Sequence, residues 1–196
     1  MEYQVKTAHG TLFCRREGSG PLLLLIHGVA CDSEFFREAS AILSKKFTVI
    51  SYDRRGYSRS IPAEGETDFS VWAHADDAAE IIGAELKRKH EEEICLEESE
   101  LQMNGAEEQS KVKDGQNTGF FVAGCSAGGA VAAALATKYP ELVRQVFLHE
   151  PLMRGSGELA AEQDAFWEKL HKSAEKHRII TCMMHFVNAM GGMNRD

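Results

Sequence analysis

Residues 120–130 read Phe-Phe-Val-Ala-Gly-Cys-Ser-Ala-Gly-Gly-Ala, a short apolar run that breaks into a glycine-flanked serine and then into small, helix-forming residues. The pattern predicts a strand, a sharp turn carrying Ser126, and a helix. A serine on so tight a strand-to-helix turn leaves no room for side chains two positions before and after it, and both positions, Gly124 and Gly128, are glycine. The start of the following helix supplies free backbone N–H groups and the positive end of its dipole, which favour a negative charge. An attacked carbonyl oxygen becomes such a charge. A Gly-rich packing turn accounts for the same five residues, so the rest of the chain has to decide.

Downstream, Ala127 to Lys138 reads as the helix, stopped at Tyr139-Pro140, and Val143 to His149 as another strand. Upstream, Pro21 to His27 is a continuous apolar run between Gly20 and Gly28, the signature of a strand buried on both faces. Asp32 or Ser33 caps a helix to about Ser44, with Phe35, Phe36, Ala39, Ile42 and Leu43 at helical spacing. Phe47 to Tyr52 is the next strand and ends at Asp53 in a polar loop. Phe69 to about Lys89 follows as an amphipathic helix with Trp72, Ala75, Ala79, Ile82 and Leu86 on one face. Tyr3 to Thr7 and Leu12 to Arg16, around His9-Gly10, read as a starting hairpin. Strand and helix alternate from Pro21 onward, which implies a mostly parallel sheet between helical layers. Sites in such sheets sit at the carboxyl ends of strands, where His27-Gly28, Asp53, Ser126 and Glu150 fall.

The alternation stalls between His90 and Asn117. This stretch holds nine acidic residues against two lysines, and so nearly all of the net charge of -8. Its composition suits an exposed, mobile, solvated insertion, or a helix end running on into disorder. From Gly155 the pattern is helical: Leu159, Phe166, Trp167 and Leu170 mark one helix, and Ile180, Met183, Met184, Phe186, Val187 and Met190 a second, placed to act as a lid. The expected organisation is a core at 1–152, with the acidic insertion at 90–117, and a partial helical cap at 153–196.

A chain of 196 residues builds one sizeable core. Its longest apolar run is far too short to cross a bilayer, and its N-terminus opens on Glu2, Gln4 and Lys6 without an apolar signal core, so a cytoplasmic location is expected. Cys14, Cys31, Cys95, Cys125 and Cys182 are odd in number and scattered without CxxC spacing, which argues for free thiols over a disulfide framework or a zinc site. No basic stripe suits nucleic acid. No Gly-rich phosphate loop or metal-ligand cluster is present, so neither cofactor nor metal is expected.

Four linked signals, HG after the third strand, the loop Asp53-Arg54-Arg55-Gly56-Tyr57-Ser58-Arg59-Ser60, the GxSxG turn and His149-Glu150-Pro151, together resemble the α/β-hydrolase superfamily, in its single-domain branch with a helical cap. The resemblance runs from Tyr3 to about Gly192. It implies a three-layer αβα sandwich, here ending after the sixth strand with a partial cap. It also implies that Ser126 is the nucleophile and that the amides of Val29 and Ala127 form the oxyanion hole, with His27 steadying the loop. Glu150 is the candidate acid. Ser58 departs from the glycine usual at its place. The superfamily's histidine follows its last strand, and no residue of this sequence matches it; His171, His177 and His185 are the histidines that would have to substitute. The resemblance therefore implies an esterase-like serine hydrolase of a small acyl substrate, with a truncated, catalytically incomplete relic as the alternative. A sheet ending after the sixth strand is expected to expose an edge open to self-association.

Overall fold

The computed structural model describes residues 1–104, 119–153 and 158–175. The chain divides into two compact units, Met1–Leu152 and Met153–Asp196. In the first unit, β1 (Glu2–Thr7) and β2 (Gly10–Glu17) form the expected hairpin, with Tyr3 opposite Cys14 and Val5 opposite Leu12. β2 runs antiparallel to β4 (Thr48–Tyr52), whereas β3 (Leu22–Ile26), β4, β6 (Phe120–Cys125) and β7 (Val143–His149) are mutually parallel. The order across the sheet is β1-β2-β4-β3-β6-β7. A two-residue strand, β5 (Ile61–Pro62), pairs with the start of β2, so the strand after the serine turn and its helix is the seventh rather than the sixth. A proline-ended pair of residues carries no periodicity to read, and proline is tolerated there because the strand is short and at an edge.

The apolar run of β3 is buried at every residue, and its side chains divide between two cores. Leu22, Leu24 and Ile26 join Ile50, Tyr52, Phe120 and Val122 under Ala75, Ala78, Ile81 and Ile82 of α2 (Val71–Asn104) and Val131, Ala132 and Leu135 of α3 (Ala127–Lys138). Leu23, Leu25 and Val49 face the other way, against Phe36 and Leu43, the latter in α1 (Arg37–Leu43). This alternation from one apolar strand into two helical layers makes the three-layer sandwich.

Two helices differ from their sequence patterns. The stretch after Asp32 begins as a 3-10 turn, Ser33–Phe36, with the Asp32 carboxylate accepting from Glu34 N–H at 2.9 Å, and only then becomes α1; Phe35 and Ile42 are exposed. α2 does not end near Lys89 but runs on through the acidic stretch to Asn104, so the extended helix end is what the structure contains; 105–118 lies outside the described residues. Glu and Lys are good helix formers without an apolar face, which is why periodicity alone stopped the helix early. Glu92 in this extension pairs with Arg16 of β2 at 3.0 Å. Trp72, expected on the buried face, is half exposed.

In the second unit, α4 (Glu158–Glu175) carries Phe166 and Trp167 with ring centroids 5.3 Å apart and an ion pair from Lys172 to Glu168 at 2.6 Å. The second helix expected around 180–190 lies outside the described residues, as do His177, His185 and the side chain of His171.

Candidate active site

Ser126 stands between β6 and α3 with φ 53°, ψ -122°, a backbone conformation that a residue with a Cβ rarely adopts. Packing holds it there. A Cβ on Gly128 would run into the carbonyl oxygen of Ile26, one on Gly124 into that of Gly128, and one on Gly129 to 2.9 Å from Pro151. The three glycines thus let the β3 end, the α3 start and the chain after β7 converge on the turn. Gly28 faces the serine itself with less crowding: a Cβ there would sit 3.2 Å from Ser126 Cβ and 3.7 Å from its Oγ.

Among the described residues, four that are not glycine have positive φ: Ala30, Ser58, Ser126 and Glu150. Three of them follow the ends of β3, β6 and β7, so the strained positions gather where the sheet's carboxyl ends meet. Backbone bonds tie two of these ends together: Ser126 N–H donates to His149 C=O at 3.0 Å, and Leu152 N–H donates to Ser126 C=O at 2.9 Å. Among the described residues, the Val29 and Ala127 amides donate to no other group of the chain. One follows Gly28, which packs against Ser126, and the other opens α3 directly after it.

The loop after β4 supports this arrangement from below. Asp53 is fully buried and accepts from Ser33 N–H at 3.0 Å and from Arg59 Nε at 2.8 Å; burial works to raise its carboxyl, but these bonds win and hold it down at about 2. Arg55, equally buried, forks onto Asp77 of α2 at 2.9 and 2.7 Å and reaches the Asp68 carbonyl at 2.9 Å. Burial lifts the Asp77 carboxyl even with Arg55 in contact, while the same contact raises Arg55. The two-pronged geometry favours the ion pair, because a carboxylate accepts both guanidinium bonds with full charge assistance and a protonated acid has only a weak acceptor in its hydroxyl oxygen. Ser58, at φ 46°, keeps the turn that glycine would make without strain. Buried His27 is kept neutral by burial first and the Arg54 charge second, which bring it down to about 4.

The other expected residues are less engaged. Glu150 is exposed, and among the described residues no histidine bonds its carboxylate; it acts on Cys125, whose thiol is raised by burial and then by this charge. His149 Nδ1 lies 3.5 Å from Cys125 Sγ. Among the described residues no side chain hydrogen-bonds the Ser126 hydroxyl, and no group of three or more His, Cys, Asp or Glu could hold a metal ion. No described helix is long and apolar enough to cross a membrane. Arg54, Asp77 and the strain at Ala30 were missed by sequence reasoning. Only the Asp-Arg-Arg run hinted at buried charge, and the partner of Arg55 lies 22 residues away.

A family model for the alpha/beta hydrolase fold matches residues 21–90. The chain is 31% identical over 160 residues to the uncharacterized hydrolase YraK of Bacillus subtilis, covering 80% of this chain and 47% of that protein. It is 32% identical over 136 residues to 2-(acetamidomethylene)succinate hydrolase of Mesorhizobium japonicum, covering 69% of this chain and 37% of the relative. The crystal structure of E-2-(acetamidomethylene)succinate hydrolase matches with a TM-score of 0.53 at 29% identity, over 74% of this chain and 42% of that one. The chain thus spans less than half the length of these relatives.

Proposed function

Because this chain belongs to the α/β-hydrolase superfamily, we propose that it is an esterase-like serine hydrolase acting on a small ester or related acyl substrate. Ser126 Oγ attacks the carbonyl carbon, the oxygen takes the negative charge and rests on the Val29 and Ala127 amides, and the alcohol leaves with the serine proton. Water then releases the acyl group and restores the hydroxyl. The observation that carries this reading is the strained Ser126 backbone, packed against Gly28 and followed by α3, with the Val29 and Ala127 amides donating to nothing else in the described chain. Glu150 is the proposed acid of the site. The free thiols, of which Cys14, Cys31, Cys95 and Cys125 are described, suit the cytoplasm as the compartment. The β7 edge, with Phe147 and Leu148 exposed, is the proposed surface for self-association.

One observation favours a second reading, a catalytically incomplete hydrolase that binds acyl compounds without turning them over: among the described residues no base reaches Ser126 Oγ. A fluorophosphonate probe separates the two. Rapid stoichiometric labelling, together with p-nitrophenyl acetate hydrolysis, both abolished in Ser126→Ala, is the expected result. An unlabelled wild-type chain leaves the second reading standing, and hydrolysis that survives Ser126→Ala refutes the first.

A further inference from the structure

The peptide unit between Gly28 and Val29 carries, at its nitrogen, one of the two amides assigned above to the oxyanion. Its other end is gripped. The Gly28 carbonyl oxygen accepts from His27 Nδ1 at 2.8 Å and from Arg54 Nη2 at 2.8 Å, so both of its lone pairs are filled. The second ring nitrogen fixes the histidine tautomer: Nε2 accepts from the Arg54 backbone N–H at 2.9 Å, which leaves the proton on Nδ1. Arg54 therefore holds the carbonyl directly through its side chain and indirectly, through its own backbone, by way of His27.

Arg54 is an unusual residue to bury. It is 3% exposed and, among the described residues, forms no ion pair; its guanidinium carbon lies 4.4 Å from the Tyr57 ring centroid, and its Nε has no hydrogen-bond partner. Taking a charge out of water without a carboxylate to meet it costs stability. Folding gives little reason for this charge to touch a neutral carbonyl. The chemistry of the amide gives one. A peptide unit is planar and conjugated, so fixing the direction of its C=O fixes the opposite direction of its N–H. A cationic donor on the oxygen draws electron density from the nitrogen and makes the N–H a stronger donor.

We propose that Arg54 is a positioning residue for the oxyanion hole, fixing and polarising the Gly28–Val29 peptide so that the Val29 N–H is preset to receive a developing negative charge. The proposal rests on the Ser126 reading for its catalytic meaning, but its physical content lies in one peptide unit of the resting protein.

The test has two arms on the full chain. In the first, valine-selective 15N labelling follows the Val29 amide in wild type, Arg54→Met and Arg54→Lys. Arg54→Met is expected to move the Val29 resonance upfield in both dimensions, while Val143 and Val146 in β7 stay in place. Arg54→Lys, which keeps the charge but not the fork, falls between, and it carries the arm if Arg54→Met does not fold. In the second arm, kcat for p-nitrophenyl acetate falls on the order of 10-fold in Arg54→Met, with KM held within about two-fold and partial recovery in Arg54→Lys. A Val29 amide unmoved in a folded variant overturns the proposal, as does an unchanged kcat in a protein whose activity Ser126→Ala abolishes. Activity that survives Ser126→Ala refutes the Ser126 reading instead, and the Val29 resonance still decides what Arg54 does to the peptide.

Discussion

Two strand ends meet Ser126 from opposite sides, and they hold it by different means. On the β3 side, His27 and Gly28 are buried and lie over a lattice of buried charge in which Arg54, Arg55, Asp53 and Asp77 are each less than a twentieth exposed. On the β7 side, His149 and Glu150 are exposed, and the grip consists of two backbone hydrogen bonds to Ser126. Side-chain charges lock one wall at the expense of desolvation, so losing a partner there is costly. The other wall depends on main-chain bonds that most substitutions preserve. The β3 wall should therefore carry stability, and the β7 wall should tolerate change.

The harshest way to break this contrast is to take the main partner from a buried charge on the β3 side. Asp77→Ala removes the forked carboxylate from buried Arg55 and leaves Glu66, at 3.3 Å, as its remaining carboxylate partner among the described residues; it is expected to cost about 3–4 kcal/mol by urea unfolding, and a loss under about 1 kcal/mol would remove the asymmetry between the walls. Acid sharpens the contrast without a mutation. The unfolded chain takes up a proton on His27 near its ordinary value of 6.5, whereas the folded chain refuses it until about 4. In that window the unfolded state binds more protons, so stability rises with pH. The contribution is complete above about 6.5, is lost as pH falls towards about 4, and amounts to something on the order of 3 kcal/mol. His74, brought down to about 3 by burial and then by Arg54, adds in the same direction. Urea midpoints measured from pH 4 to pH 7 check the slope, and a flat profile contradicts the buried, neutral imidazoles. The smallest effect belongs to the other wall: Phe147→Ser on the exposed β7 edge should change stability by no more than about 0.5 kcal/mol, while lowering any concentration-dependent association seen by light scattering.

What the sequence reveals follows the same division between local and distant causes. The burial of β3, β4 and β6 is legible because four leucines in a row, or Gly124 and Gly128 around Ser126, state their constraints within a few residues. The convergence of Gly28 on Ser126 is not local, since 98 positions separate them, yet two short motifs at successive strand ends imply it through the parallel sheet. Pairs such as Arg55 with Asp77, and the double grip on the Gly28 carbonyl, leave no periodic trace, because an arginine in a polar loop looks the same whether it is solvated or buried. The length of α2 escaped for the opposite reason. Helix propensity without an apolar stripe resembles a solvated spacer, and only the continuous backbone to Asn104 tells them apart.

The left-handed backbone at Ser126 also sets folding against whatever the hydroxyl does. Glycine would adopt φ 53°, ψ -122° without the penalty of roughly 1–3 kcal/mol that a Cβ incurs there, and the same single change would delete the hydroxyl. For a chain selected only to stay folded, this is among the readiest gains available, since the tight packing around the turn requires the backbone shape and not the side chain. A serine at this place is a residue the fold itself does not ask for.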